Sequence, residues 1–171
     1  MTLPHIETER LLLRPRTLDD LESCLAMDRD PEVTKFVDGP WDEPDEHRAF
    51  ILERMRSDYP DGLGYWTVTK LRQPDCFLGW ILLLPYHWFE NEVEIGWRFA
   101  KANWGQGYAT EAAASALDHA VYSLGLNKIV ADIHPENFAS QKVAEKIGLI
   151  PVDNRQIDGM NMVSYQMPHS V

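Results

Sequence analysis

The spacing of apolar and polar residues changes along the chain, and each change marks an element. "RLLLRPR" (10–16) reads as a strand limited by Pro15. "TLDD" then sets Thr17 as an N-cap with Asp20 three residues on, which predicts a helix to about Met27. Pro44, at a first-turn position, leads into "EHRAFILERMRSDY", where Phe50, Ile51, Arg54 and Met55 recur at helical spacing. Pro60, Gly62 and Gly64 break that pattern. Three strand-like runs follow, "YWTVTKL" (65–71), "CFLGWILLLPY" (76–86) and "EVEIGWRF" (92–99), and short polar turns between them predict an antiparallel meander.

The second half reads differently. "TEAAASALDHAVYSLG" (110–125) carries a stripe of Ala113, Leu117, Val121 and Leu124, and Gly125-Leu126 is the expected helix stop. "KIVADIH" (128–134) is a short β-branched strand, and "FASQKVAEKIGL" (138–149) a second helix ending in Gly-Leu. Two closing strands, about 150–153 and 162–167, flank the turn signal Asp158-Gly159. From Glu92 to His134 the order strand, glycine loop, helix, strand predicts a crossover onto a parallel neighbour. The fold class is therefore mixed α/β (α+β), one sheet flanked by helices, in a single domain spanning 1–171.

Composition narrows the functional classes. A net charge of −11, from 16 basic against 27 acidic residues, repels phosphate backbones and disfavours nucleic acid as a partner. It suits a cationic partner, although solubility alone accounts for such a charge. No apolar run is long enough to span a membrane, and the N-terminus lacks the pattern of a signal peptide. Cys24 and Cys76 are too few for a disulfide framework and lack a CxxC spacing, so a reducing, cytoplasmic setting is expected. No His, Cys and Asp grouping has the spacing of a metal site, so no metal is expected.

"WGQGYAT" (104–110) raises the chemical question. Glycines ahead of a helix let an anion reach main-chain N–H groups without meeting a Cβ, at the positive end of the helix dipole. The loop is thus a candidate diphosphate cradle, although Gly-x-Gly before a helix also serves as a plain tight turn. A P-loop is excluded because no GxxxxGK[ST] string occurs, a dinucleotide fingerprint because position 110 is Thr, and a kinase because its motif set is absent.

Taken together, "TERLLLRPRTLDDLE", "EVTKFV", "EIGWRFAKANWGQGYATEAA" and "NFASQKVAEKIGL" resemble the Gcn5-related N-acetyltransferase superfamily, within the branch that acetylates ribosomal-protein N-termini and related amines. The resemblance covers nearly the whole chain. It implies a splayed mixed sheet with acetyl-CoA entering between the fourth and fifth strands of that fold. Gly105, Gln106, Gly107, Tyr108, Ala109 and Thr110 would then hold the pyrophosphate. Arg98, Phe99 and Ala100 would offer strand-edge groups to the pantetheine, and Asn137 would bond the coenzyme from the start of the last helix. Trp104 stands where much of the superfamily has Gln or Arg, and as a packing residue it would contribute no donor. The Tyr that many members place four residues before the helix-ending Gly is here Ala144, so its acid role does not transfer. Ser140, three residues after Asn137, matches the branch and is expected near the sulfur; as an N-cap it would have a purely structural use.

An amine must lose a proton before or while attacking a thioester, because an ammonium has no lone pair. Glu92 and Glu94 share one face of their strand, opposite Val93, Ile95 and Trp97, and Glu94 is the expected base. The competing reading is a solvated strand-face charge. Around Trp41, the acidic run Asp38, Asp42, Glu43, Asp45 and Glu46 would suit a cationic amine through charge and cation–π contact, and His87 and Trp88 would approach the same pocket. A solvated loop is the simpler use of such a run. The expected function is acetyl transfer from acetyl-CoA to a primary amine by direct attack in a ternary complex, with substrate residues Asp38, Trp41 and His87. The acceptor is a protein N-terminus or a small-molecule amine, and a homodimer is compatible with the sequence. The alternatives are a non-catalytic acyl-CoA-binding regulator on the same fold and a protein-interaction module without coenzyme.

Overall fold

The computed structural model describes residues 3–168. An eight-stranded sheet runs through it in the order β1-β2-β3-β4-β5-β6-β8-β7. The strands are β1 (Ile6–Glu7), β2 (Leu11–Pro15), β3 (Gly64–Lys70), β4 (Gln73–Pro85), β5 (Val93–Phe99), β6 (Ile129–Ile133), β7 (Ile150–Ile157) and β8 (Met160–Gln166). The helices are α1 (Leu21–Asp28), α2 (Pro31–Thr34), α3 (Pro44–Arg56), α4 (Tyr108–Asp118) and α5 (Phe138–Lys146). Every neighbouring pair is antiparallel except β5 and β6. That pair is parallel because α4 carries the chain back across the sheet between them.

The β5–β6 pairing is also the shortest in the core of the sheet. It holds only Val93 against Ile129 and Glu94 against Val130. Beyond those rungs the two strands separate toward their C-terminal ends, which gives the splayed sheet. The loop leading into α4 and the start of α5 both lie at that open end.

Strict alternation sends the strand residues into two cores. Ile81 and Leu83 of β4 and Val93, Ile95 and Phe99 of β5 pack with Ala112, Ala113, Ala116 and Leu117 of α4. On the other face Trp80 and Leu82 pack with Cys24 and Leu25 of α1 and Ile51 of α3. Small residues along α4 let its backbone sit close to the sheet, whereas the opposite face is filled by larger side chains.

Several boundaries differ from the sequence reading, each for a tertiary reason. A 3-10 turn, Leu18–Asp20, precedes α1 where one helix from Thr17 was expected. There the Asp20 carboxylate accepts the Thr17 amide (2.9 Å) but also a bidentate pair from Arg14 (2.9 and 2.6 Å), so it ties the turn to β2. The helix expected over 110–125 is α4 followed by a π-helical turn, His119–Ser123, with buried His119 within 3.0 Å of the Gly62 carbonyl. β7 runs well past its expected end and β8 begins two residues early, because the two form a hairpin around Asp158 and Gly159. β1 and α2 carry no periodic signal in the sequence, being two and four residues long.

Candidate active site

The loop from Trp104 to Thr110 turns on two left-handed residues, Gly105 (φ 71°) and Gly107 (φ 79°). A Cβ built on Gly105 meets nothing within 4 Å, and one on Gly107 meets only an Arg10 guanidinium nitrogen at 3.3 Å. Among the described residues, none of the main-chain amides from Gly105 to Thr110 has a protein partner; the first intrahelical bond runs from the Glu111 amide to the Gly107 carbonyl (3.0 Å). A row of free N–H groups at the positive end of an 11-residue helix is suited to a polyanion such as a diphosphate. Trp104 contributes no donor to it: its Nε1 bonds the Phe99 carbonyl (2.8 Å) and so ties the loop to the end of β5.

The strand edge requires a correction. Tyr86 N–H donates to the Glu92 carbonyl (2.8 Å) and Ala100 N–H to the Leu78 carbonyl (3.0 Å), which sets the phase of β5 against β4. By alternation Glu94, Gly96, Arg98 and Ala100 turn their main-chain groups to β4, and Trp97 and the Phe99 amide turn theirs to the gap. Arg98 and Ala100 therefore do not offer edge groups there. Phe99 keeps its amide, since its carbonyl is taken by Trp104. The Arg98 side chain is committed elsewhere: it donates to the fully buried Asp28 (2.9 Å), whose other oxygen lies 3.5 Å from His47 Nε2. That pairing links β5 to α1 and α3.

On the face shared with α1 and α3, Glu94 stands beside the last rung of the parallel pair, at the apex of the splay. Its carboxyl is pushed up to about 7, first by burial and then by the nearby Asp132 carboxylate. It makes no side-chain hydrogen bond among the described residues, so its lone pairs are available. The residue is half-buried, neither a fully solvated strand-face charge nor a sealed core group. Glu92, its neighbour by period two, is spent: Arg155 of β7 grips both its oxygens (2.6 and 3.1 Å). Asp132 of β6 accepts the Tyr86 hydroxyl (2.6 Å) through Oδ2, while Oδ1 is buried without a partner. Burial and the bond to Asp132 keep the Tyr86 phenol protonated well above its ordinary range. Sequence reading missed Tyr86, Asp132 and Arg155, although a lone Asp inside the β-branched run "KIVADIH" was a usable signal.

The remaining expected residues are spread around this centre. Asn137 is the N-cap of α5, and its Oδ1 accepts the Ser140 amide (3.2 Å). The cap is thus Asn137, and the capping alternative for Ser140 falls away. The Ser140 hydroxyl, half-buried at the third helical position, has no hydrogen-bond partner among the described residues. Trp41 donates to the Val37 carbonyl (2.8 Å) and its ring lies 5.0 Å from the Arg98 guanidinium, so a cation of the protein itself already occupies that aromatic. Asp38 is exposed close by, and Asp45 and Glu46 form the acidic first turn of α3. His87 lies against Trp88 in a tilted contact (4.6 Å between centroids) and lines a cavity with Tyr86, Glu90 and Glu92. His134 stacks on Phe36 (5.0 Å), which brings the α2–α3 connection to the end of β6. Among the described residues no group of His, Cys, Asp and Glu is arranged to hold a metal ion, and no helix is long and apolar enough to cross a membrane.

Comparison with known proteins identifies the family and the fold. Residues 10–150 match the family model described as "Acetyltransferase (GNAT) domain". An uncharacterized N-acetyltransferase of Bacillus subtilis, YnaD, is 34% identical over 146 residues, covering 85% of this chain and 82% of its own. The crystal structure of an acetyltransferase from Agrobacterium tumefaciens superposes with a TM-score of 0.81 at 28% identity, over 99% of this chain and 96% of its own. Spermidine N-acetyltransferase from Vibrio cholerae, solved in complex with CoA and spermine, shares the fold at a TM-score of 0.73 and 18% identity, over 93% and 94% of the two chains.

Proposed function

The chain belongs to the GNAT acetyltransferase family, and on that premise we propose that it moves the acetyl group of acetyl-CoA directly to a primary amine in a ternary complex. The observation that carries this reading is the pairing of a free amide row at the mouth of the splay with an unpartnered carboxyl at its apex. Acetyl-CoA, when bound, supplies an activated acyl group as a thioester. The amides of Gly105, Gln106, Gly107, Tyr108, Ala109 and Thr110 fit its diphosphate. Main-chain groups of Trp97 and the Phe99 amide, left open by the splay, fit the amide-bearing pantetheine arm. The Asn137 side-chain amide, whose oxygen is used in the cap, keeps its NH2 for the same molecule.

Glu94 takes the proton from the acceptor ammonium. A carboxyl held near 7 is half ionised at neutral pH and strong enough as a base to share in the proton transfer. Asp132, buried beside it, adds negative charge where an ammonium must come to rest. The Ser140 hydroxyl serves as a donor to the departing sulfur. No covalent relay is needed. The Cys24 thiol is buried and pushed up to about 12, which leaves it a poor nucleophile.

The acceptor side is negatively charged and partly aromatic, which favours a basic amine. The Vibrio cholerae neighbour was solved in complex with spermine, which is such an amine. The deciding experiment is a panel of protein N-termini, lysine peptides, polyamines and small amines, read by release of free thiol from acetyl-CoA. Thiol release that depends on both reactants supports direct transfer. A stoichiometric burst of thiol without amine would show an acyl-enzyme and sink the mechanism. Native mass spectra that retain no CoA would remove the coenzyme from the site.

A further inference from the structure

The amide row has a weakness that the fold answers from far away in sequence. Glu111, in the first turn of α4, puts a carboxylate one turn from where a diphosphate would sit. Left alone it would repel that anion and cancel part of the helix dipole. Both of its oxygens are instead drawn to the β1–β2 turn. Oε1 accepts the Thr8 hydroxyl (2.6 Å) and the Arg10 amide (2.9 Å), and Oε2 accepts Arg10 Nε (2.6 Å). Burial by itself would raise the Glu111 carboxyl, but the bonds from Thr8 and Arg10 outweigh it and hold it below the usual range, so Glu111 is ionised and paired.

Arg10 does more than neutralise. Its Nη1 donates to the Gln106 carbonyl (2.9 Å), in the middle of the glycine loop. Its guanidinium lies 4.7 Å from the centre of the Tyr108 ring. The remaining nitrogen, Nη2, faces Gly107, 3.3 Å from the position a Cβ would take there. One side chain thus touches the loop at Gln106, Gly107 and Tyr108 while binding the only acidic group in the first turn of α4.

We infer that Arg10 is a positioning residue for the coenzyme: it cancels the Glu111 charge, turns the Gln106 carbonyl away from the amide row, and presents the Nη2 edge of its guanidinium to the diphosphate. The inference rests on the acetyl-CoA reading above. It explains why a strand pair at the sheet edge is tied so densely to a loop that the sequence places 96 residues later. It also gives Thr8 a task, since the Thr8 hydroxyl takes the Glu111 lone pair that Arg10 Nε cannot reach.

Calorimetric titration with CoA, and in parallel with pantetheine, which lacks the diphosphate, separates this role from mere bracing. Arg10→Met should weaken CoA by roughly tenfold to a hundredfold, the scale of losing a charge-assisted contact and exposing an unpaired charge. Pantetheine affinity should stay within about twofold, since no diphosphate is present to feel the change. Adding Glu111→Gln to Arg10→Met should recover part of the CoA affinity, because the uncompensated carboxylate is then gone. Arg10→Lys, which keeps the charge and is less disruptive, should lie between wild type and Arg10→Met. Equal losses for CoA and pantetheine, or a double variant no better than Arg10→Met, would overturn the charge role and leave a structural brace. Wild-type protein that binds no CoA at all would instead overturn the coenzyme reading itself.

Discussion

The two halves of the site are built by opposite means. The proposed coenzyme half is main chain from one continuous stretch, Gly105–Thr110, whose donors are free because a helix begins there. The acceptor half is side chains from separate elements: Tyr86 after β4, Glu92 and Glu94 on or beside β5, Asp132 on β6 and Arg155 on β7. Main-chain donors present the same groups whatever the side chains, so that half suits a partner that does not vary. The side-chain half can change its charge and shape residue by residue, which suits it, on the proposed function, to choosing the acceptor. The two also differ electrostatically. Glu111 beside the loop is held ionised by partners, whereas Glu94 at the apex is left without one and holds its proton to about 7.

That contrast can be broken most sharply at Glu94. Glu94→Gln keeps size and shape but removes the basic lone pair, and turnover at neutral pH should fall by about 10²–10⁴. The deficit should narrow at high pH, where the amine arrives neutral, and CoA affinity should not move. Wild-type turnover should rise through about pH 7 as Glu94 ionises. The same variant carries an opposite stability effect. The folded state holds the Glu94 proton to about 7 against 4.5 for an unburied glutamate, so it binds that proton more tightly than the unfolded chain does. Stability is therefore lost as pH rises from about 4.5 to about 7, on the order of 3 kcal/mol. Glu94→Gln should be more stable than wild type above pH 7 and lose that advantage near pH 4, as read from urea midpoints at each pH. Superimposable pH–rate profiles for the two proteins would mean Glu94 takes no proton.

Gly107→Asp tests the other half. It sets a side chain at φ 79° and a negative charge at the anion site, and it would approach Arg10. CoA affinity should fall by about a hundredfold or more, a charge reversal beside a polyanion, while circular dichroism stays native. Undiminished affinity in a folded variant would take the loop out of the site.

Smaller effects sharpen the comparison. Tyr86→Phe strips the hydrogen bond from a buried Asp132 oxygen, leaving it only Arg155 Nη1 at 3.9 Å while its companion is already unpaired, and should cost about 1–3 kcal/mol of stability with CoA affinity unchanged. A drop in CoA affinity there would show that the two halves are not separable. Ser140→Ala should lower turnover a few-fold with little change in affinity. Because Asn137 is the cap, the substitution should barely shift the melting temperature, and a large shift with normal turnover would assign Ser140 to structure alone.

The glycine loop and its helix start were legible in the sequence because their signals are local: two glycines, a helix start and a period that changes from two to nearly four. Glu94 was legible too, by its place on an alternating strand, although its altered proton affinity was not. That property comes first from burial and then from Asp132, 38 positions away. The strand-edge assignment missed for a related reason. Which residues of β5 face the gap depends on the hydrogen-bond phase against β4, and a period-two pattern fixes the side-chain faces without fixing the direction of the amides. Trp41 read as open to a cation, yet Arg98 had reached it from the next layer.

By itself, then, the sequence determined the longer strands and helices and the parallel crossover around the glycine loop, which follow from spacing along a few turns or rungs, and its motifs carried the resemblance to the family. Only the tertiary structure decided which carboxylates are spent and which are free: Glu92 and Glu111 gripped by Arg155 and Arg10, Glu94 left alone beside a half-satisfied Asp132. The reason is physical. A carboxylate's chemistry is set by its desolvation and by the charges within a few ångströms, and in this sheet those neighbours come from strands that the chain separates by tens to about a hundred residues.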